Sequence, residues 1–75
     1  MRPPLQVSAE FGKAVRKLRL EQGLSQQQLA DACGLDLSYI GQIERGLRNP
    51  TLGVMHGIAK VLKTKVSDLL RTASL

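Results

Sequence analysis

The stretch Ser25–Arg45, SQQQLADACGLDLSYIGQIER, is where the fold of this chain is decided. Ser25 with Gln28 three residues on is a capping box, in which the hydroxyl accepts from the Gln28 N–H and the Gln28 side chain reaches back to the Ser25 backbone. Leu29, Ala30 and Cys33 give the helix that follows a small apolar face, and Gly34 closes it after about two turns. A helix this short does not hold alone, because nucleation is costly and little area is buried, so it must lean on neighbours. Asp36 is placed to cap a second helix from Leu37 to about Arg45. Ile40 and Ile43 face inward on it, Ser38, Gly41, Gln42 and Arg45 face outward, and Gly46 stops it.

Working outward, the N-terminal side reads as an irregular arm over residues 1–7, with Pro3-Pro4 and one basic residue, Arg2, followed by a single domain over 8–75. Ser8 is a candidate N-cap with Glu10 in the first turn. Phe11, Ala14, Val15 and Leu18 recur at i, i+3, i+4 and i+7, which predicts a helix over about Ala9–Gln22 ended by Gly23. On the C-terminal side Asn49-Pro50 breaks the chain and Thr51 caps a helix over Leu52 to about Leu62, whose stripe is Leu52, Met55, Ile58, Ala59 and Leu62. Gly53 and Gly57 weaken it by about 0.5–1 kcal/mol each relative to Ala. Ser67 caps a last short helix, Asp68–Arg71, with Leu69 and Leu70. There is no repeat and no sustained two-residue alternation, so the prediction is five helices and no strands: an all-α domain.

Length and composition set the limits. Seventy-five residues are expected to form one small core without a separate sensor or catalytic domain. With Phe11 and Tyr39 the only aromatics, that core is built from aliphatic side chains. Eleven Lys and Arg against six Asp and Glu give a net charge of +5, an excess that on so small a domain points to a polyanionic partner. No run of five like charges occurs, so the charge belongs to a folded surface. A single cysteine excludes an intrachain disulfide, and Cys33 with His56 is too few ligands for a closed zinc site. No acid, base and nucleophile set stands at a recognisable spacing, so no enzyme activity, metal or cofactor is expected. Nothing resembles a signal peptide or membrane span, and the expected location is the cytoplasm.

Two short helices about a glycine corner fit either a plain αα-hairpin or the helix-turn-helix, whose second helix enters the major groove of DNA. Wider agreement along the chain separates the two. Arg19…Gly23-Leu24-Ser25-Gln26…Leu29-Ala30…Gly34-Leu35, then Tyr39-Ile40…Ile43-Glu44-Arg45-Gly46…Arg48-Asn49-Pro50-Thr51-Leu52, and finally Ile58-Ala59-Lys60-Val61-Leu62…Val66-Ser67-Asp68-Leu69-Leu70 resemble the Cro/C1 class of phage and bacterial regulators, the XRE family. The resemblance runs from about Phe11 to Leu70 and implies a five-helix, lambda-repressor-like DNA-binding domain. Within the family, a stand-alone domain of this size resembles restriction–modification controller proteins and short phage repressors.

Carried onto this sequence, the resemblance implies base contacts from Leu37, Ser38 and Gln42. Gln42 suits the bidentate pair with adenine N6 and N7, while Leu37 departs from the long polar residue common at its position. Phosphate contacts fall to Gln26 at a helix N-terminus and to Tyr39, Arg45, Arg48 and Asn49, with Tyr39 open between phosphate ligand and packing residue. Arg19 and Glu44 correspond to a buried ion pair tying the first helix to the third. Two-fold operators imply a homodimer, for which Met55, Val61, Val66, Leu69 and Leu70 are the candidate contacts, with closure of the monomer core as their alternative role. Regulation by concentration alone, without a small-molecule effector, is implied. Contact with RNA polymerase stays open, with no residue marking it. The rival class is a helical protein-interaction module such as an antitoxin. Lys63 stands where relatives carry Gly or Asn, and its backbone is expected to be strained.

Overall fold

The computed structural model describes residues 4–75, with side chains from Gln6 onward. Five helices follow in order: α1 (Pro4–Glu21), α2 (Gln26–Cys33), α3 (Leu37–Glu44), α4 (Leu52–Val61) and α5 (Val66–Thr72). α1 packs against α3 and α5, and α2 against α3 and α4. The shared core holds Phe11, Ala14 and Val15 from α1, Leu29 and Ala30 from α2, and Ile40 and Ile43 from α3. Ile58, Ala59 and Leu62 close it from the α4 side, Leu69 and Ala73 from the α5 side.

The capping signals are realised at two of the five helix starts that carried one. At α2 both halves of the box form: the Gln28 N–H donates to Ser25 Oγ at 3.0 Å and the Ser25 N–H to Gln28 Oε1 at 2.8 Å. Thr51 accepts from the Val54 N–H at 3.1 Å to start α4. Asp36 sits at the N-cap of α3 but makes no side-chain cap bond. α5 starts two residues earlier than expected, with Lys65 rather than Ser67 at its N-cap.

α1 also starts early. From Pro4 onward the expected arm is helical, while residues 1–3 lie outside the described residues. A proline breaks a helix only from within; at the first helical position its missing N–H is one the helix does not use and its φ is already helical. Ser8 therefore lies inside α1, buried, and its hydroxyl donates to the Asn49 side-chain oxygen instead of capping. Leu52, assigned to the inner stripe of α4, is 68% exposed, because the first residue after the Thr51 cap projects beyond the neighbouring helices.

All five helices end in the same turn, closed by an N–H to a carbonyl five residues back: Leu24 to Arg19, Leu35 to Ala30, Leu47 to Gln42, Thr64 to Ala59 and Leu75 to Leu70. This turn places one residue in the left-handed region. After α4 that residue is Lys63, at φ 60°, where a side chain costs about 1–2 kcal/mol. Conversely, a Cβ added at Gly57 in the middle of α4 meets nothing within 4 Å. The variant Gly57→Ala/Lys63→Gly is therefore expected to be more stable by about 1–2 kcal/mol, read as a rise of several degrees in thermal midpoint. An unchanged midpoint would contradict the strain assigned to Lys63.

Candidate nucleic-acid interface

The corner between α2 and α3 turns on Gly34, at φ 69°, whose N–H closes back on α2. Its conformation lets α3 leave at an angle with the outer face clear of α2. Ser38, Gln42 and Arg45, at i, i+4 and i+7, share that face; Ser38 and Arg45 are exposed and Gln42 partly so. Leu37 stands beside them, 43% exposed. Gly41 does not face outward as expected: it is buried beneath Gln26, whose Oε1 lies at contact distance from where a Cβ would be.

What aims α3 is its seat on α1. Arg19 donates from Nε to Glu44 Oε2 at 2.7 Å and from Nη2 to Glu44 Oε1 at 3.0 Å, a two-pronged bridge with both side chains buried. The third guanidinium nitrogen donates to the Leu24 carbonyl at 2.8 Å. The hydrogen bond with Glu44 holds the Arg19 pKa above its ordinary value, outweighing the burial that pulls it down. Gln26 joins the cluster, its side-chain Nε2 donating to Glu44 Oε1 at 3.0 Å. Its side-chain amide is thus spent on positioning, and what it has for a ligand is its backbone N–H in the first turn of α2.

Two glycines set the depth of the seat. A Cβ on Gly12 would lie 2.1 Å from the Ile43 carbonyl oxygen, so α1 and the end of α3 touch backbone to backbone. Gly46, at φ 77°, also lies close to α1: a Cβ there would stand 2.7 Å from Ala9 Cα. The Ser8–Asn49 hydrogen bond ties that loop to α1 as well, so Asn49, expected at a phosphate, has its side-chain oxygen engaged within the chain.

Around α3 the surface is cationic. Arg16, Arg19, Ser25, Gln26, Gln27, Glu44 and Arg45 line one concavity between α1, α2 and α3. Arg16 was absent from the expected contacts; its spacing of three from Arg19 along α1 is the signal that places it there. On the other side of α3, the Arg48 guanidinium lies 5.8 Å from the centroid of the half-buried Tyr39 ring and donates from Nε to Gln42 Oε1 at 2.8 Å. Leu37, Ser38, Gln42, Tyr39, Arg45 and Arg48 are thus brought to one side of the molecule, with the N-terminus of α2 beside them.

The candidate pairing residues divide. Leu69 is fully buried in the core of its own chain and has no surface to offer, which corrects its place among the dimer contacts. Met55, Val61, Val66 and Leu70 are half-buried at the edge of the core. Met55 and Leu70 line a shallow apolar groove with Val7, Phe11 and Leu75. Cys33 is half-buried at the end of α2, its thiol pKa raised by burial, and His56 is exposed on α4. Among the described residues no helix is long and apolar enough to cross a membrane.

Comparison with known proteins gives one consistent answer. Residues 15–69 match the helix-turn-helix family HTH_3. The control protein C.BamHI of Bacillus amyloliquefaciens is 44% identical over 61 residues, covering 80% of this chain and 75% of that protein. The control protein C.SmaI of Serratia marcescens is 48% identical over 56 residues, covering 75% of this chain and 67% of that protein. The crystal structure of the restriction-modification controller protein C.AhdI from Aeromonas hydrophila superposes with a TM-score of 0.80 at 42% identity, covering 83% of this chain and 94% of the other.

Proposed function

Because the chain belongs to the helix-turn-helix family HTH_3, as a regulator of the Cro/C1 type and not an enzyme, we propose that it controls transcription as a homodimer on a two-fold operator. The observation that carries this reading is the outer face of α3. Ser38, Gln42 and Arg45 stand on successive turns of a helix whose angle is held by a buried ion pair, flanked by Arg16 on one side and Arg48 on the other. A helix so held, polar outward and cationic at its margins, suits a major groove whose floor is read and whose walls are phosphate.

In this reading Ser38 and Gln42 meet base edges and Leu37 covers the groove wall or a thymine methyl. The backbone N–H groups at the start of α2 take one phosphate, together with Arg16 and Arg45. Tyr39, Arg48 and Asn49 border the next. Two protomers join through the half-buried edge formed by Met55, Val61, Val66 and Leu70, extended by Leu52 and Leu75, which are 68% and 44% exposed. The similarity to control proteins makes a restriction–modification controller the role we favour, working in the cytoplasm and switched by its own concentration.

Salt titration tests the reading. Three cations from each of two protomers, Arg16, Arg45 and Arg48, give an expected slope of about −5 for log affinity against log salt on duplex DNA. A response close to flat would reject the phosphate contacts and favour a protein-binding helical module instead.

A further inference from the structure

We propose that Arg48 sets which base Gln42 reads, by taking up the Gln42 carbonyl and leaving the side chain to face the groove as a hydrogen-bond donor. The inference rests on the DNA-reading role of α3 proposed above and goes beyond it to a base preference.

A free glutamine at this position would match adenine, its oxygen accepting from N6 and its nitrogen donating to N7. Here the oxygen has another partner. Arg48 Nε donates to Gln42 Oε1 at 2.8 Å. A guanidinium carries donors only, so the Gln42 amide has one orientation beside it, carbonyl toward Arg48 and NH2 away. The Arg48 end of this contact is itself steered. Its guanidinium lies over the Tyr39 ring, 5.8 Å from the centroid, and that ring is half-buried against the core and so forms a fixed platform. Gln42 sits on α3, which is clamped to α1 through Glu44. Both partners of the hydrogen bond are therefore anchored, one by a helix seat and one by an aromatic face.

Seen from the groove, the pair is a row of donors: the Gln42 NH2 and the remaining Arg48 N–H groups. Guanine presents N7 and O6, two acceptors side by side. Adenine presents N7 and an amino group, and the amino group would meet donors and a positive charge. The pair thus favours guanine over adenine at the base step facing Gln42. Arg48 acts there as a positioning residue on Gln42, whatever phosphate it also meets.

Selection from a random pool of duplex DNA, read by sequencing, tests this on the full chain. The wild-type protein is expected to enrich guanine over adenine at one position of each half-site by about tenfold. Arg48→Ala, a change at an exposed loop residue whose folding circular dichroism verifies, is expected to bind more weakly and to shift that same position toward adenine. The double variant Gln42→Met/Arg48→Ala should lose the preference altogether. An unchanged base in Arg48→Ala, or adenine already preferred by the wild type, would overturn the proposal while leaving α3 as the reading helix. If the wild type enriches no sequence from the pool, the DNA-reading role falls and the base assignment with it.

Discussion

Glu44→Ala is expected to destabilise the domain by about 3–5 kcal/mol, the cost of leaving a buried charge without its partner. Stability on the order of 0.05–0.15 kcal/mol per residue would give a chain of this length roughly 4–11 kcal/mol in total, so the loss is a large share of what there is. Arg19 would keep only the Leu24 carbonyl of its three acceptors, and Gln26 would lose the oxygen that holds its side chain. A buried lysine could escape by giving up its proton; an arginine does not. Urea unfolding with Glu44→Ala beside the double replacement Arg19→Met/Glu44→Leu separates the causes. If the stranded charge is the source, the double replacement recovers most of the loss although both hydrogen-bonding partners are gone. Equal losses in the two variants would place the cost in the bridge itself. Even a stable double variant is expected to read DNA poorly, because packed methylenes do not fix an angle as a two-pronged bridge does.

The second large effect belongs to Gly12→Ala. Alanine is the better helix former by about 1 kcal/mol, and on an exposed helix the change would stabilise. Here the added methyl would stand 2.1 Å from the Ile43 carbonyl oxygen and 2.8 Å from that of Glu44, both backbone atoms with nowhere to swing. The two helices must part, so a net destabilisation of about 3 kcal/mol is expected, at the upper end of overpacking penalties. The displacement falls on the C-terminal turn of α3, where Glu44 and part of the proposed reading face are. Affinity for DNA should drop further than the unfolded fraction explains. A Gly12→Ala protein as stable as the parent would show that α1 and α3 do not meet backbone to backbone.

The comparison of Gly12 with Gly34 shows where a sequence speaks and where it does not. Gly34 follows an apolar face and precedes a new cap, and that context alone marks a helix end. Gly12 sits in mid-helix, where nothing nearby distinguishes a tolerated weakness from a contact surface, since its partner lies some thirty residues away in α3. Gly41 was hidden for the same reason. Local signals were legible at Ser25–Gln28 and Thr51–Val54, where donor and acceptor are three residues apart, though the equally local signal at Asp36 formed no cap bond. They misled where a side chain had a distant claimant: Ser8 looked like a cap and is held by Asn49. Pro4 fits an irregular arm by residue type, whereas its position at the start of α1 is one a helix accepts. The pairing of Arg19 with Glu44 came from the family resemblance and not from their spacing. The link from Gln42 to Arg48 crosses the end of α3, where helical periodicity no longer predicts neighbours.

α1 touches α3 on one side and α5 on the other, and its contact with α3 is backbone on backbone. α3, which carries the proposed reading face, and α5, which carries part of the proposed pairing edge, are thus mounted on a single rod. A protein built this way has its ruler engraved. In a dimer joined at the α4–α5 edge, the gap between the two α3 helices is a property of the chain, as much as the groove spacing is a property of DNA. Inserting one base pair between half-sites moves them apart by about 3.4 Å and turns one against the other by roughly a tenth of a turn, and nothing in the rod can follow. For such a dimer the DNA alone would bend or twist to meet it, so the stiffness of base pairs the protein never touches would enter into which sites it occupies.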